Sequence, residues 1–248
     1  MATHFPTRGD GREGGRPIAG QGSWRPSDGQ GSVAEEAGGA SFGDAAALIP
    51  DRASLQALRD SAAGCRACPL WRLGTQTVFG EGPRRADLLF IGEQPGDVED
   101  RQGLPFVGPA GRLLNRALEE AGLDRSSIYL TNAVKHFKWK PRGKRRLHET
   151  PNAREVAACR PWLEAEIAAV KPRALVCLGA TAAQALFGSS FRVTRQRGLL
   201  LDSPLGLPAM ATVHPSAVLR APDDQARARE RAAFTADLRR LAGLLGPR

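Results

Sequence analysis

Glu93, Gln94, Asn132, His148 and His214 are the polar side chains of this 248-residue chain whose settings best suit chemistry. Glu93 and Gln94 form the tip of Gly92-Glu93-Gln94-Pro95-Gly96. Asn132 follows the apolar run Ile128-Tyr129-Leu130, and His214 precedes Pro215-Ser216. A carboxylate, two amides and two imidazoles can hold a proton, orient a nucleophile or act as one. His148 closes the stretch Lys135–His148, in which seven of fourteen residues are Lys or Arg and none is acidic. Such a stretch attracts a polyanion, and its composition predicts that it stays at the surface. Phe137 and Trp139 alternate with its lysines, as suits a groove that pairs charge with base stacking.

The cysteines form a second set. Cys65 and Cys68 have the two-residue spacing that lets both sulfurs face one metal, and Cys159 and Cys177, separated by 17 residues, are the remaining two. Zinc ribbons usually repeat the tight pair, whereas an iron–sulfur cluster tolerates scattered ligands better, so spacing alone leaves zinc and cluster open. Taken singly, Cys177 reads as a small buried residue of an apolar strand.

The elements that must position these groups alternate in type. Leu88-Leu89-Phe90-Ile91, Ile128-Tyr129-Leu130, Ala174–Leu178 and, more weakly, Ala209–Val213 read as buried strands. Between them Pro109 opens a helix with a stripe of Leu113, Leu114, Ala117, Leu118 and Ala121, closed by Gly122. Asn152 caps a second helix running to Val170, with Pro161 predicting a kink or restart near Cys159. A last one carries Phe234, Leu238, Leu241 and Leu245 on one face. Strands separated by helices predict a parallel sheet covered on both faces, with chemistry gathered beyond the strands' carboxyl ends. Glu93, Asn132 and His214 should therefore share one rim, from which the basic stretch departs.

Composition narrows the partner. The net charge of +9 favours an acidic one, and no apolar run approaches the ~20 residues of a membrane span, so nucleic acid is favoured over membrane. Residues 1–45 hold eleven of the 28 glycines and few aliphatics and are expected to be disordered, leaving 46–248 as one folded domain. No secretion signal is evident, which predicts reduced cysteines in a cytoplasmic, nucleoid-associated protein.

Singly, each motif has an ordinary explanation. Gly92–Gly96 lacks the Lys-Ser/Thr of a P-loop and the third glycine of a dinucleotide fingerprint, so it could be a plain strand-to-helix turn. Asn132 could bond backbone at a strand end, Phe106 could be core, and His214 a satisfied loop residue. Together, Gly92–Gly96, Gly103-Leu104-Pro105-Phe106-Val107-Gly108-Pro109-Ala110-Gly111, Thr131–Lys135 and His214-Pro215-Ser216 resemble the iron–sulfur (family 4) uracil-DNA glycosylases. Gln94, where Ala is usual in that family, and the inserted Gly143–His148 loop resemble its UdgX-type branch, which becomes covalently joined to the DNA it has depyrimidinated.

The resemblance implies an α/β fold, a three-layer α/β/α sandwich around a central four-stranded parallel sheet. It implies a structural 4Fe–4S cluster held by Cys65, Cys68, Cys159 and Cys177. It implies that Phe106 stacks on an extruded uracil while Asn132 reads its N3–H and O4. His214 would stabilise the leaving uracil anion through O2. Glu93 positions water in ordinary members; here it would orient His148 or take its proton, so that His148 attacks C1′ and traps the product. Gln94 would hold the loop or the substrate, and Lys144, Arg145 and Arg146 would anchor phosphates. The expected partner is uracil-containing DNA, single- or double-stranded, met by a monomer. A multiple-turnover glycosylase whose basic loop only grips DNA is the alternative, followed by a non-catalytic iron–sulfur DNA-binding module. The second of these is disfavoured by Glu93, Asn132 and His214, which a pure binder does not need.

Overall fold

A computed structural model describes residues 42–245. The expectation of disorder over 1–45 lies outside the described residues except at its end, where Gly43 N–H bonds the Ala67 carbonyl and Ala45 is buried. The first strands β1 (Leu88–Gly92) and β2 (Ile128–Asn132) are buried at every position, which is why they read as unbroken apolar runs. β5 (Ala174–Leu178) is equally buried, and β7 (Pro208–Thr212) nearly so. The sheet runs β2-β1-β5-β7-β6, in which β6 (Leu200–Asp202) is antiparallel to β7 and the other pairings are parallel. The expected four-stranded parallel sheet is thus a five-stranded mixed one. β6 is only three residues long and half exposed, with neither alternation nor length to mark it in the sequence.

The three layers are as expected. α3 (Pro109–Glu120), α7 (Pro215–Leu219) and α8 (Asp224–Leu245) cover one face, packing Leu114, Leu118, Val218, Phe234 and Leu238 against Phe90, Leu130, Val176 and Met210. α4 (Ala153–Val170) and α5 (Ala180–Phe187) cover the other through Leu163, Ile167, Ala183 and Leu186. The short helices α2 (Asp97–Gln102) and α6 (Val193–Gln196) lie in the loops that follow β1 and α5. α1 (Leu55–Ala62) packs beside α4 around a separate apolar cluster that includes Cys65, Cys68, Cys159 and Trp162. α4 begins in a full capping box between Asn152 and Glu155 and passes through Pro161 as one helix instead of restarting there. The carbonyl that loses its partner to Pro161 belongs to exposed Ala157, where water can replace it.

The basic stretch is a β-hairpin, β3 (Trp139–Arg142) and β4 (Arg145–His148), turned at Gly143 with φ of 57° and pairing Trp139 with His148. Its stem does not stay at the surface. Lys135, His136 and Phe137 are buried, and the Lys135 ammonium is 2.5 Å from the Glu166 carboxylate, a residue with no exposure at all. Glu166 also accepts from Gly80 N–H and from the Tyr129 and Thr131 hydroxyls. A basic residue can be buried where its charge and all its hydrogen bonds are met, and composition cannot report that. Glu166→Ala should destabilise the protein by about 3–5 kcal/mol, because it strands the Lys135 charge. Urea unfolding checks this, and Glu166→Ala with Lys135→Met should recover much of the loss.

Candidate active site

The carboxyl ends of β1, β2, β5 and β7 place the expected groups on one rim. Gly92 and Asn132 are register partners, and past the strands Ala133 N–H bonds the Gly92 carbonyl and Val134 N–H the Glu93 carbonyl. The Glu93 backbone is therefore fixed by continued pairing. Its carboxylate has two partners: Oε1 lies 3.1 Å from His148 Nε2, and Oε2 accepts from the Thr181 hydroxyl at 2.5 Å. Thr181, in the first turn of α5, is a site residue that sequence reasoning missed, since nothing but the β5–α5 crossing marks it. Burial acts to raise the Glu93 pKa, but the hydrogen bonds from His148 and Thr181 and the nearby imidazoles hold it below the ordinary carboxylate value. Ionised Glu93 accepts from His148 Nε2–H, and in the neutral tautomer that makes this bond the other ring nitrogen keeps its lone pair. The His148 side chain is 49% exposed and Glu93 only 22%, so the imidazole stands between carboxylate and solvent.

Asn132 and Phe106 close in over Gly92. Any Cβ at position 92 would collide with Asn132 Oδ1 and the Phe106 ring, so only glycine lets amide and ring approach there. Phe106 is buried and has φ of 57°, a backbone conformation that non-glycine residues adopt only at a cost of about 1–3 kcal/mol. Its backbone is pressed against Gly111 of α3, where a Cβ would strike the Phe106 carbonyl. Glu99 of α2 braces the same loop, accepting from Gly108 N–H at 2.7 Å. The His214 ring centroid lies 6.2 Å from that of Phe106. Its Nδ1 accepts from Ser216 N–H, which leaves the ring proton on Nε2 as a donor. Burial pushes the His214 pKa down to about 4, so this donor is a neutral imidazole.

The hairpin is clamped across the rim. Gln94 donates to the carbonyls of Lys138 and Glu149 and accepts from Lys138 N–H, so one amide holds both feet of the hairpin. Arg146 does not stand ready for phosphate. Its guanidinium pairs with Asp97 and Asp100, at 2.6 Å to the latter, and lies over the rings of Phe137 and Trp139. Asp100 has no exposure, and Arg146 locks β4 to α2. Phe137 is buried under Arg146 and offers no open face to a base. Lys144 and Arg145 remain exposed at the hairpin tip.

Three of the four cysteines come together. Cys65, Cys68 and Cys159 share one buried cluster, where Lys135 N–H donates to Cys159 Sγ and Trp162 Nε1–H to Cys65 Sγ, each at 3.2 Å. Cys177 does not join them. It sits in β5 between Ile91 and Ala211, inside the core on the α5 face, so its selection as fourth ligand is corrected to a core residue. Among the described residues no three such side chains converge on a point that a single ion could fill. Two N–H donors on sulfur suit thiolates of a larger cluster instead. Beside this group stands a buried imidazole, His136, whose Nε2 is 3.0 Å from the Thr77 hydroxyl. Thr77 in turn donates to the Ala62 carbonyl that also receives Cys65 N–H. A cavity of about 570 Å³ between α3, α7 and α8 contains none of the site residues.

The chain matches the uracil DNA glycosylase superfamily over residues 79–239 and belongs to it. Among curated relatives, the Type-4 uracil-DNA glycosylase of Thermotoga maritima is 41% identical over 157 residues, 63% of this chain and 78% of that protein. The Type-4 enzyme of Pyrobaculum aerophilum is 37% identical over 175 residues, 68% and 86% of the two chains. That of Sulfurisphaera tokodaii is 34% identical over 178 residues, 68% and 78% of the two. No helix among the described residues is long and apolar enough to cross a membrane.

Because the folded His214 pKa lies below the ordinary value of about 6.5, the folded state binds its proton less readily than the unfolded chain. Its contribution to stability is complete above about pH 6.5 and falls away as the pH drops from there toward 4. Proton NMR of the His214 ring should show a midpoint near 4, and a midpoint above 6 would contradict the neutral donor.

Proposed function

We propose that this protein is a uracil-DNA glycosylase of DNA repair that captures its product through His148. The observation that carries the reading is the Glu93–His148 pair, held on the rim beside Asn132, Phe106 and His214. A uracil extruded from the stack would lie against Phe106, with the Asn132 amide matching its N3–H and O4. Cytosine presents the opposite donor–acceptor order there, and a fixed amide rejects it. As the C1′–N1 bond breaks, its electron pair leaves with uracil, and His214 Nε2–H stabilises the anion at O2. A neutral donor serves this better than a cation, because it does not transfer its proton before charge has developed.

Positive charge left on the sugar is met by the free nitrogen of His148. That lone pair forms the bond to C1′, and the imidazole becomes cationic. Its Nε2 proton passes to Glu93 and then to solvent or the uracil anion, leaving a neutral glycosyl–imidazole. The relatives' name describes uracil-DNA glycosylases, and the covalent step goes beyond it; its support is the clamped hairpin. Gln94 and Arg146 hold the hairpin so that His148 occupies the side of Glu93 that water would otherwise take.

A 4Fe–4S cluster fits the gathered thiols as a structural group. Cys65, Cys68 and Cys159 would hold it, with His136 as the fourth donor in place of Cys177. When bound, it would cross-link the Cys65–Cys68 loop to α4, and the glycosylase chemistry uses none of it. Protein prepared without oxygen should carry iron and sulfide. Cys177→Ala should retain both in full, and His136→Ala should lose part or all. Metal analysis with visible absorbance checks this, and iron loss in Cys177→Ala alone would reverse the assignment.

The central test is capture. A uracil oligonucleotide should give a one-to-one adduct that survives heat and detergent, a thymine oligonucleotide none, and His148→Ala none with either. Adduct mapping should place the sugar on His148. Full-yield cross-linking by His148→Ala, or mapping to Lys144, would leave the multiple-turnover glycosylase as the reading.

A further inference from the structure

Next to the cysteine loop lies a group of charges that the site above does not use. Trp71, in the 3-10 turn Pro69–Arg72, is half buried and carries two cations on its indole. The Arg66 guanidinium is 4.7 Å from the ring centroid and the Arg72 guanidinium 5.1 Å. Both arginines are exposed, and neither enters a salt bridge among the described residues. Arg59, Arg146 and Arg197, by contrast, each face a carboxylate within 3 Å. One indole can orient a cation by its ring quadrupole, but two unpaired guanidiniums held at one ring repel each other. An anion between or above them removes that repulsion, and the indole presents their planar forks to it already oriented.

The mount is rigid. Cys65 and Cys68 are buried on either side of Arg66, and Leu70 is buried two residues before Arg72, so the turn is anchored to the core. It is also joined to the hairpin that delivers His148. The Leu73 carbonyl, directly after Arg72, accepts from Trp139 Nε1–H at 2.7 Å, and Trp139 is the cross-strand partner of His148. The path from the reactive imidazole to the arginine pair is therefore continuous: His148, Trp139, Leu73, Arg72, Trp71, Arg66.

We propose that Arg66, Trp71 and Arg72 form a platform for the single strand flanking the uracil, binding its phosphates and stacking guanidinium planes on its bases. This rests on the uracil-DNA reading above. It adds a second DNA contact, separate from the Lys144–Arg145 tip, on the side of the hairpin where the cysteine loop lies. A nucleic-acid strand is the occupant because charge and planar stacking surface occur together and lie beside the expected uracil site.

The test uses single strands carrying 2′-fluoro-2′-deoxyuridine, whose electron-withdrawing fluorine slows C1′–N1 cleavage and keeps register without capture. Affinity is measured against salt for strands of about five and about fifteen nucleotides, a span that brackets one binding groove. With the longer strand, Arg66→Ala with Arg72→Ala should reduce the slope of log K against log salt by about 1.4, or ~0.7 for each phosphate that is no longer neutralised. With the shorter strand the reduction should be smaller or absent. Iron content and visible absorbance should match the wild type. If either falls, Arg66→Gln with Arg72→Gln is measured instead, since it removes the charges and keeps the stems. An unchanged slope on the longer strand in a cluster-loaded variant overturns the platform alone. Wild-type protein that neither binds these strands nor releases or captures uracil overturns the DNA reading and the platform together.

Discussion

The buried pair between Lys135 and Glu166 is the contact on which the remaining geometry depends. Glu166 reaches from α4 under the end of β2, and its two oxygens receive Gly80 N–H, the Tyr129 and Thr131 hydroxyls and the Lys135 ammonium. The ammonium also donates to Thr131 Oγ1 and to the Asn132 carbonyl. Every charge is thus met several times over, the condition under which a desolvated ion pair can persist. The backbone of the same lysine donates to Cys159 Sγ and accepts from Val78 N–H. One residue therefore ties together the end of β2, where Asn132 sits, the cysteine group and α4. Disturbing any one of these should be felt at the others, because they share a fully bonded network with no slack.

The hairpin shows a related economy of charge. A stretch with seven basic residues spends much of that charge inside the protein. Lys135 is paired to Glu166, Lys138 to Glu155 and Arg146 to Asp97 and Asp100. These pairs set the position of His148, and Lys140, Arg142, Lys144 and Arg145 are left at the surface for a polyanion. The acids lie far away in sequence, on α2 and α4, so a count of local charge overstated the surface available for binding and understated the precision with which the loop is held.

Electrostatics divides the two imidazoles of the site. His214 is partly buried, caps α7 and receives Ser216 N–H on Nδ1, so desolvation keeps it neutral with its proton on Nε2. His148 is half exposed and donates to a carboxylate. One is thereby suited to stabilise a departing anion and the other to supply a lone pair. Their environments, not their residue type, assign these roles.

The sequence by itself determined the α/β sandwich, because strands buried on both faces must be apolar throughout and the covering helices must carry stripes. The rim position of Glu93, Asn132 and His214 followed from the same pattern, since each stands at the carboxyl end of an apolar run. The cysteine set was only partly legible: two-residue spacing marks Cys65 and Cys68, but no spacing separates Cys159 at the shared cluster from Cys177 in the core. The edge strand β6, the role of Thr181, the burial of Lys135 and the clamping of Arg146 were decided by tertiary structure alone. Each depends on a partner 30 or more residues away or on a neighbouring strand. Hydrogen bonds and ion pairs of that kind are satisfied across space, and a linear pattern of residue types carries periodicity but not the identity of the distant group that completes it.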